Sequence, residues 1–247
     1  MQNIVIIPTY NEKENIEKLV PYVFSLPVKF DILIVDDNSP DGTAQLVKKL
    51  QEKFSGLHLL ERPGKLGLGS AYIAGFEWAL GNGYEYIFEM DADFSHNPDD
   101  LVRLYNTCRD ENAGLVIGSR YISGVNVVNW PLARVLMSYF ASVYVRLVTG
   151  IKIHDTTAGF KCYTRQALRD ILNYRIRSAG YCFQIEMKFI AWKLGYKIIE
   201  IPIIFTDRRS GTSKMSGGIF NEAFWGVLRM KIRSFFIKYK RSPETEQ

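Results

Sequence analysis

The strongest constraint on the fold is an alternation that fills the first half of the chain. Short apolar, β-branched runs are each followed by a polar turn and then by a stretch with helical spacing. Residues 4–7 read as a buried strand, and residues 32–35, 57–60, 86–90 and 115–117 read as four more. Between them Ile16, Leu19, Val20, Val23 and Phe24 keep the spacing of a helix face. Asn11 and Glu14 have the spacing of a capping box for that helix, and Pro21 predicts a kink or an early end. Further helices are expected from Asp41 or Thr43 to Leu50, over 69–80 and after Asn97-Pro98. Apolar strands separated by helices predict a mainly parallel sheet covered on both faces.

Ligands of such sheets lie at the carboxyl ends of the strands. That is where the polar clusters of this chain fall. Pro8-Thr9-Tyr10-Asn11-Glu12 follows the first strand, Asp36-Asp37-Asn38-Ser39 the second and Asp91-Ala92-Asp93 the fourth. The second half is less regular. Residues 132–148 and 181–194 predict helices, and 198–205 a strand interrupted by Pro202, hence an edge strand. Residues 207–218 predict a basic Gly/Ser-rich loop and 219–239 a last helix. With no linker and no repeat, residues 1–241 are expected to form one domain and 242–247 a frayed tail.

Composition narrows the partners. With 47% hydrophobic and 23% charged residues, a wholly disordered chain is excluded. A net charge of +5 points to anionic partners. Cys108, Cys162 and Cys182 are odd in number and lack CxxC spacing, which argues against a disulfide framework or zinc site and for reduced thiols. No signal peptide is expected. The most apolar stretch, 135–145, is bounded by Arg134 and Arg146 and falls short of the roughly 20 residues a spanning helix needs. A membrane role would therefore mean lying on the surface.

Asp91 and Asp93 are two apart on a strand end, so their carboxylates point the same way. A divalent cation with hard-oxygen preference, Mg²⁺ or Mn²⁺, would offset their repulsion; the other reading is a pair of solvated loop acids. Asp36-Asp37 suits a base or ribose, or merely a helix start. The glycine-rich Gly64-Lys65-Leu66-Gly67-Leu68-Gly69 resembles a phosphate cradle, yet it is neither GxGxxG nor a P-loop, and a tight helix entry explains it as well. Arg120 follows the fifth strand, Arg134 and Ser138 share a helix face, and Arg208, Arg209 and Lys214 sit in the basic loop. These are phosphate-binding types as well as ordinary surface charges. The last helix combines Phe220, Phe224, Phe235 and Phe236 with a run of Lys and Arg, which suits a membrane interface or a packed helix with a basic outer face. His58, His96 and His154 are scattered and suggest no metal role.

Together these motifs resemble the dolichol-phosphate mannose synthases and their bacterial polyprenol-phosphate relatives, among the inverting GT-A glycosyltransferases of family 2. The resemblance rests on IPTYNE at 7–12, IVDDNSPDGT at 34–43, LGLGSA at 66–71, MDADFSH at 90–96, GSRY at 118–121, and Asp207-Arg208 followed by GTSK at 211–214. It implies a GT-A α/β fold. It implies that Pro8, Tyr10, Glu12, Val35 and Asp37 line a guanosine pocket, and that Asp91, Ala92 and Asp93 hold the donor diphosphate through Mg²⁺ or Mn²⁺. Ser95 stands where some relatives have a glutamine ligand. Arg120, Arg134 and Ser138 would bind the acceptor phosphate, and Arg208 and Lys214 the donor.

The implied reaction moves mannose from GDP-mannose to dolichyl or polyprenyl phosphate, with Asp93, Arg120 and Lys214 as the catalytic residues. The acceptor phosphate is already anionic at neutral pH, so no general base is needed, and one displacement inverts the α-donor to a β-linked product. The expected setting is the cytoplasmic face of a membrane, as a peripheral protein, reached through interfacial helices or a small membrane partner protein; nucleic acid is not an expected partner. The competing readings are a UDP-glucose-dependent or other nucleotide-sugar transferase on the same fold, and a non-catalytic basic membrane-binding protein. A dehydrogenase is disfavoured because the first turn lacks GxGxxG.

Overall fold

A computed structural model describes residues 2–178, 180–207 and 218–243. In chain order the elements of the first half are β1 (Asn3–Thr9), α1 (Lys13–Phe24), β2 (Asp31–Asp36), α2 (Thr43–Gln51), β3 (Leu57–Glu61), α3 (Leu68–Gly81), β4 (Tyr86–Glu89), α4 (Asp100–Asp110) and β5 (Leu115–Ser119). There follow β6 (Val127–Val128), α5 (Leu132–Thr149), β7 (Lys161–Thr164), α6 (Arg165–Leu172), α7 (Gly180–Lys193), β8 (Ile198–Pro202), β9 (Phe205–Thr206) and α8 (Gly218–Ser234). The main sheet has the order β3-β2-β1-β4-β7-β5-β8, and β6 pairs with β9 in a small second sheet.

The α/β alternation of the sequence is present as expected, and its period-2 strands divide the core. Ile4 and Ile6 of β1 and Leu33 and Val35 of β2 face one helical layer, while Val5, Ile7, Ile32 and Ile34 face the other. The first layer is built on α3, α6 and α7, and the second on α1, α2 and α4. Helix α3 sits close to the sheet because of Gly75. A Cβ there would come within 2.6 Å of Ile6 Cγ2, so only glycine permits this approach.

The structure departs from the sequence reading at several points. Strand β7 was not foreseen; it runs antiparallel between β4 and β5. Its register sets Lys161 opposite Glu89, where the two form a fully buried ion pair at 2.9 Å. A charged residue opening a four-residue strand hides the strand from any hydrophobic pattern. Asn11 is not a helix cap: its φ is +61°, its N–H goes to Ser39 Oγ, and α1 starts after Glu12. Helix α1 runs through Pro21, because Leu19, Val20 and Val23 are all buried and hold the turn on the sheet. Strand β8 is the expected edge, but the chain then bends into β9.

Helix α5 occupies the stretch expected for it, one residue longer at its end. The apolar span read over 135–145 is revised: by length and composition the whole helix, with Arg134 and Arg146 inside it, is apolar enough to cross a membrane. Helix α8 ends at Ser234, several residues early, in a tightened turn from Phe235 N–H to the Ile232 carbonyl. The chain then folds back. Tyr239 lies against Tyr174 with ring centroids 5.0 Å apart, Arg241 donates to the carbonyls of Leu194 and Gly195, and Ser242 N–H reaches Asp170.

Candidate active site

Three strand ends of the first half meet at one rim. At β2, Asp36 is fully buried and committed to structure: it accepts Thr9 Oγ1 at 2.8 Å and both the hydroxyl and the N–H of Ser39. Its neighbour Asp37 faces Arg62, whose Nε lies 2.9 Å from Asp37 Oδ1 with both side chains almost wholly buried. Burial raises the Asp37 pKa above the usual carboxylate value, against the opposing pull of Arg62 and the Leu66 N–H. Arg62 in turn donates to Ser70 Oγ at the start of α3. The glycine-rich turn is thus fastened to Asp37, with Gly67 at φ +99° making the bend. Above it the exposed Tyr10 ring carries Lys65 Nζ at 4.5 Å.

Beyond β4 the chain places Asp91, the buried Ala92 and Asp93 in a turn in which Phe94 has φ +58°. Tyr72 Oη approaches Asp91 Oδ1 at 3.4 Å. Burial, with Asp91 beside it, raises the Tyr72 phenol well above its usual pKa, so it stays a neutral donor. Asp93 Oδ1 accepts both the N–H and the hydroxyl of Ser95, so Ser95 orients Asp93. Beneath them Glu89 is neutralised by Lys161 and also accepts Tyr163 Oη at 2.9 Å and Gln184 Nε2 at 2.8 Å. Glu89 therefore braces the floor, beneath the half-buried carboxylates of Asp91 and Asp93. Among the described residues no group of three or more His, Cys, Asp or Glu side chains could hold a metal alone. Two carboxylates at one strand end fit a hard divalent cation whose other ligands come from a bound diphosphate or water.

Across the rim, Arg120 leaves the end of β5 and is gripped by Asp155. The main-chain N–H, Nε and Nη2 of Arg120 reach the Asp155 carboxylate at 3.0, 2.7 and 2.7 Å, and Nη2 also reaches Thr157 Oγ1. Burial alone would raise the Asp155 pKa, yet the charge and hydrogen bonds of Arg120 hold it below the usual carboxylate value. Lys188, also buried, clips the Thr156 and Ala158 carbonyls and so fixes the segment presenting Asp155. Arg134 lies over Trp130, 4.1 Å from the ring centroid, and Arg120 approaches the same indole at 5.3 Å. One turn further along α5, Ser138 sits beside the buried Tyr121 phenol.

The two halves are joined by His96 and β9. The His96 ring stacks on Phe160 at 4.8 Å and meets Phe205 edge-on at 5.3 Å; Phe205 in turn packs on Trp130. Burial pulls the His96 pKa down to about 4, so the ring is neutral at pH 7. Thr206 N–H donates to the Ser95 carbonyl and Asp207 N–H to that of Val128.

Pro8, Tyr10, Glu12, Asp37, Asp91, Asp93 and Arg120 thus stand at or just beyond the carboxyl ends of β1, β2, β4 and β5, while Trp130 and Tyr121 bring Arg134 and Ser138 to the Arg120 side. Val35 differs: its side chain is wholly buried in the core, so it can offer a ligand only its main chain. Arg208 and Lys214, with Arg209, lie outside the described residues. Three participants escaped the sequence reading, Arg62, Trp130 and Asp155, and Asp207 entered it only as part of a motif, without a role. The strand-end rule applied to β3 points to Arg62, which follows Glu61, the register partner of Asp36. Asp155 sits in an irregular segment between α5 and β7, and no local pattern marks it.

Comparison with known proteins bears on this geometry. Residues 4–172 match the glycosyl transferase family 2. The chain is 45% identical over 233 residues to a polyprenol monophosphomannose synthase of Mycolicibacterium smegmatis, covering 94% of this chain and 88% of that one. It is 44% identical over 229 residues to an undecaprenyl-phosphate mannosyltransferase of Micrococcus luteus, covering 93% of each. Among solved structures, glucosyl-3-phosphoglycerate synthase of Mycobacterium tuberculosis, in complex with Mn²⁺, UDP and glucosyl-3-phosphoglycerate, superposes with a TM-score of 0.67 at 16% identity, over 93% of this chain and 80% of that one. That likeness fixes the GT-A fold. With a family match over most of its length and relatives of this identity and coverage, the chain belongs to the family 2 glycosyltransferases.

Proposed function

We propose that this enzyme transfers mannose from GDP-mannose to the phosphate of a polyprenyl or dolichyl phosphate, at a membrane surface and with inversion. One observation carries the reading. Helix α5 brings Arg134 and Ser138 beside Arg120, and the same helix shows solvent an apolar stripe of Leu132, Leu136, Phe140 and Leu147, the last 80% exposed. A substrate with an anionic head and an apolar tail suits that helix. The stripe continues on α8 and beyond it, where Trp225, Ile232, Phe235 and Phe236 are exposed; Tyr144 and Phe224 stack at 4.8 Å to join the two. So large an apolar face suits insertion into a bilayer interface. The names of the two relatives support mannose and a polyprenyl phosphate. Three buried thiols suit the reducing, cytoplasmic side of that membrane. A small membrane protein partner would add a second anchor.

In this reading Pro8, Tyr10 and the carboxylates of Glu12 and Asp37 receive the guanosine, whose ring N–H groups seek acceptors. Asp91 and Asp93 would hold Mg²⁺ or Mn²⁺, which supplies charge neutralisation to the donor diphosphate; Ala92 keeps the turn narrow. Arg120, fixed by Asp155, and Arg134, fixed on Trp130, align the acceptor phosphate and lessen its repulsion from the donor. An oxygen of the phosphate monoester, largely ionised at pH 7, forms the new bond to the anomeric carbon. The bond to the diphosphate breaks, and the nucleoside diphosphate leaves with the electron pair. No proton needs removal, and attack opposite the leaving group makes the β-anomer.

The test is label transfer from GDP-mannose, in parallel with UDP-glucose, to a polyprenyl phosphate in detergent, with Mg²⁺ or with EDTA. Metal-dependent labelling from GDP-mannose that Asp93→Ala abolishes is the expected result. Labelling from UDP-glucose alone would refute the mannose assignment.

A further inference from the structure

The two arginines of the acceptor side are neutralised in different ways. Arg120 is tied by three of its N–H groups to Asp155, whose side chain is 0% exposed. Arg134 offers only Nη1 to Asp207, which spans both carboxylate oxygens at 2.9 Å, and the two side chains are 21% and 27% exposed. The Arg134 guanidinium rests over Trp130, and the Asp207 main chain is held by its hydrogen bond to Val128. The carboxylate of Asp207 can therefore leave Arg134 with neither backbone nor guanidinium moving. We propose that Asp207 is an exchangeable counter-ion that sets the acceptor specificity of Arg134: it yields to a dianionic phosphate monoester and holds against a monoanionic phosphodiester. This inference rests on the acceptor role of Arg134 argued above.

The physical reason is charge. Two anions on one guanidinium repel each other, so an arriving phosphate must displace the carboxylate. A phosphate monoester carries about −1.5 to −2 at pH 7 and gains more from the arginine pair than the single charge it removes. A phosphodiester carries about one negative charge and gains little from the exchange. The surface that this enzyme would lie on is crowded with phosphodiester head groups, while its acceptor is a monoester. A carboxylate on Arg134 keeps the majority anion out at small cost to the minority one.

The experiment measures the KM for polyprenyl phosphate, and its inhibition by phosphatidylglycerol, in mixed micelles. Wild type is compared with Asp207→Asn, Asp207→Glu and Arg134→Ala, with the donor KM as a control. The exchange predicts that Asp207→Asn lowers the acceptor KM by about two- to fivefold, the range of a partly exposed ion pair, and lowers the phosphatidylglycerol inhibition constant by more. Asp207→Glu restores the wild-type selectivity, the donor KM stays constant, and Arg134→Ala raises the acceptor KM. A higher acceptor KM in Asp207→Asn would make Asp207 a structural brace and overturn the proposal, as would unchanged inhibition by the phosphodiester. An unchanged acceptor KM in Arg134→Ala would instead remove the acceptor role of Arg134, and the proposal with it.

Discussion

Replacing Asp155 by asparagine keeps the shape of the side chain and removes its charge. Three N–H groups of Arg120 then face an amide that can accept fewer bonds and presents its own N–H₂ to the guanidinium. Because Arg120 is almost wholly buried, water cannot replace the lost partner. Breaking one side of a buried pair costs about 3–5 kcal/mol; with one acceptor retained, we expect the lower end, about 3 kcal/mol. That is a large share of a typical folding stability of about 5–15 kcal/mol, and urea unfolding at pH 7 will resolve it. In the active enzyme the loosened Arg120 loses a charge-assisted contact worth about 1.5–3 kcal/mol. The kcat/KM for polyprenyl phosphate should fall by about one to two orders of magnitude while the KM for the donor stays constant. The pH dependence adds a signature. The folded Asp155 pKa is depressed, so its contribution is complete above the unfolded carboxylate value and is lost only as the pH falls below about 4. The gap between wild type and Asp155→Asn should therefore be flat from pH 5 to 8. A loss below 1 kcal/mol, or a donor KM that rises with the acceptor's, would refute the reasoning.

Two further expectations follow from the same rim. His96 titrates near 4 when folded against an ordinary 6.5, so its neutral form stabilises the fold fully above 6.5, and the contribution is lost as the pH falls from 6.5 to about 4. The loss amounts to about 3 kcal/mol; His96→Gln should show a shallower decline between pH 7 and 4.5, and parallel curves would contradict the buried neutral ring. On the apolar face, Phe140→Ser, Leu147→Ser and Phe236→Ser together remove side chains worth about 1.5–3 kcal/mol each on burial. Vesicle sedimentation should show membrane binding weakened by two orders of magnitude or more with thermal stability unchanged, whereas equal binding would place the membrane contact elsewhere.

Much of this was legible in the sequence because the sheet's inner strands are apolar on both faces and each ends in a polar cluster. The strands up to β5 and the gathering of Asp37, Asp91, Asp93 and Arg120 follow from that pattern alone. What stayed hidden depends on contacts between distant segments. Nothing in the local pattern marks Lys161, which only the register sets against Glu89. Asp155 meets Arg120 across 35 positions and Asp207 meets Arg134 across 73, separations at which no local spacing rule operates. The extent of α5 follows from its spacing, but its apolar span reads as only 135–145 until Arg134 turns into the site and leaves the outer stripe unbroken.

The antiparallel strand β7 also bears on how the chain is made. Residues 161–164 fill the gap between β4 and β5, which are complete by residue 119. As the polypeptide leaves the ribosome, some forty residues must follow before that gap can close. Until then the nascent sheet carries two raw hydrogen-bonding edges side by side, with Glu89 at one of them and its lysine not yet synthesised. The aspartates and Arg120 stand on opposite banks of this gap, so the candidate site is assembled only when the late strand docks. A chain cut short before residue 161 would keep β1 to β5 with both edges of the gap open, and is expected to aggregate.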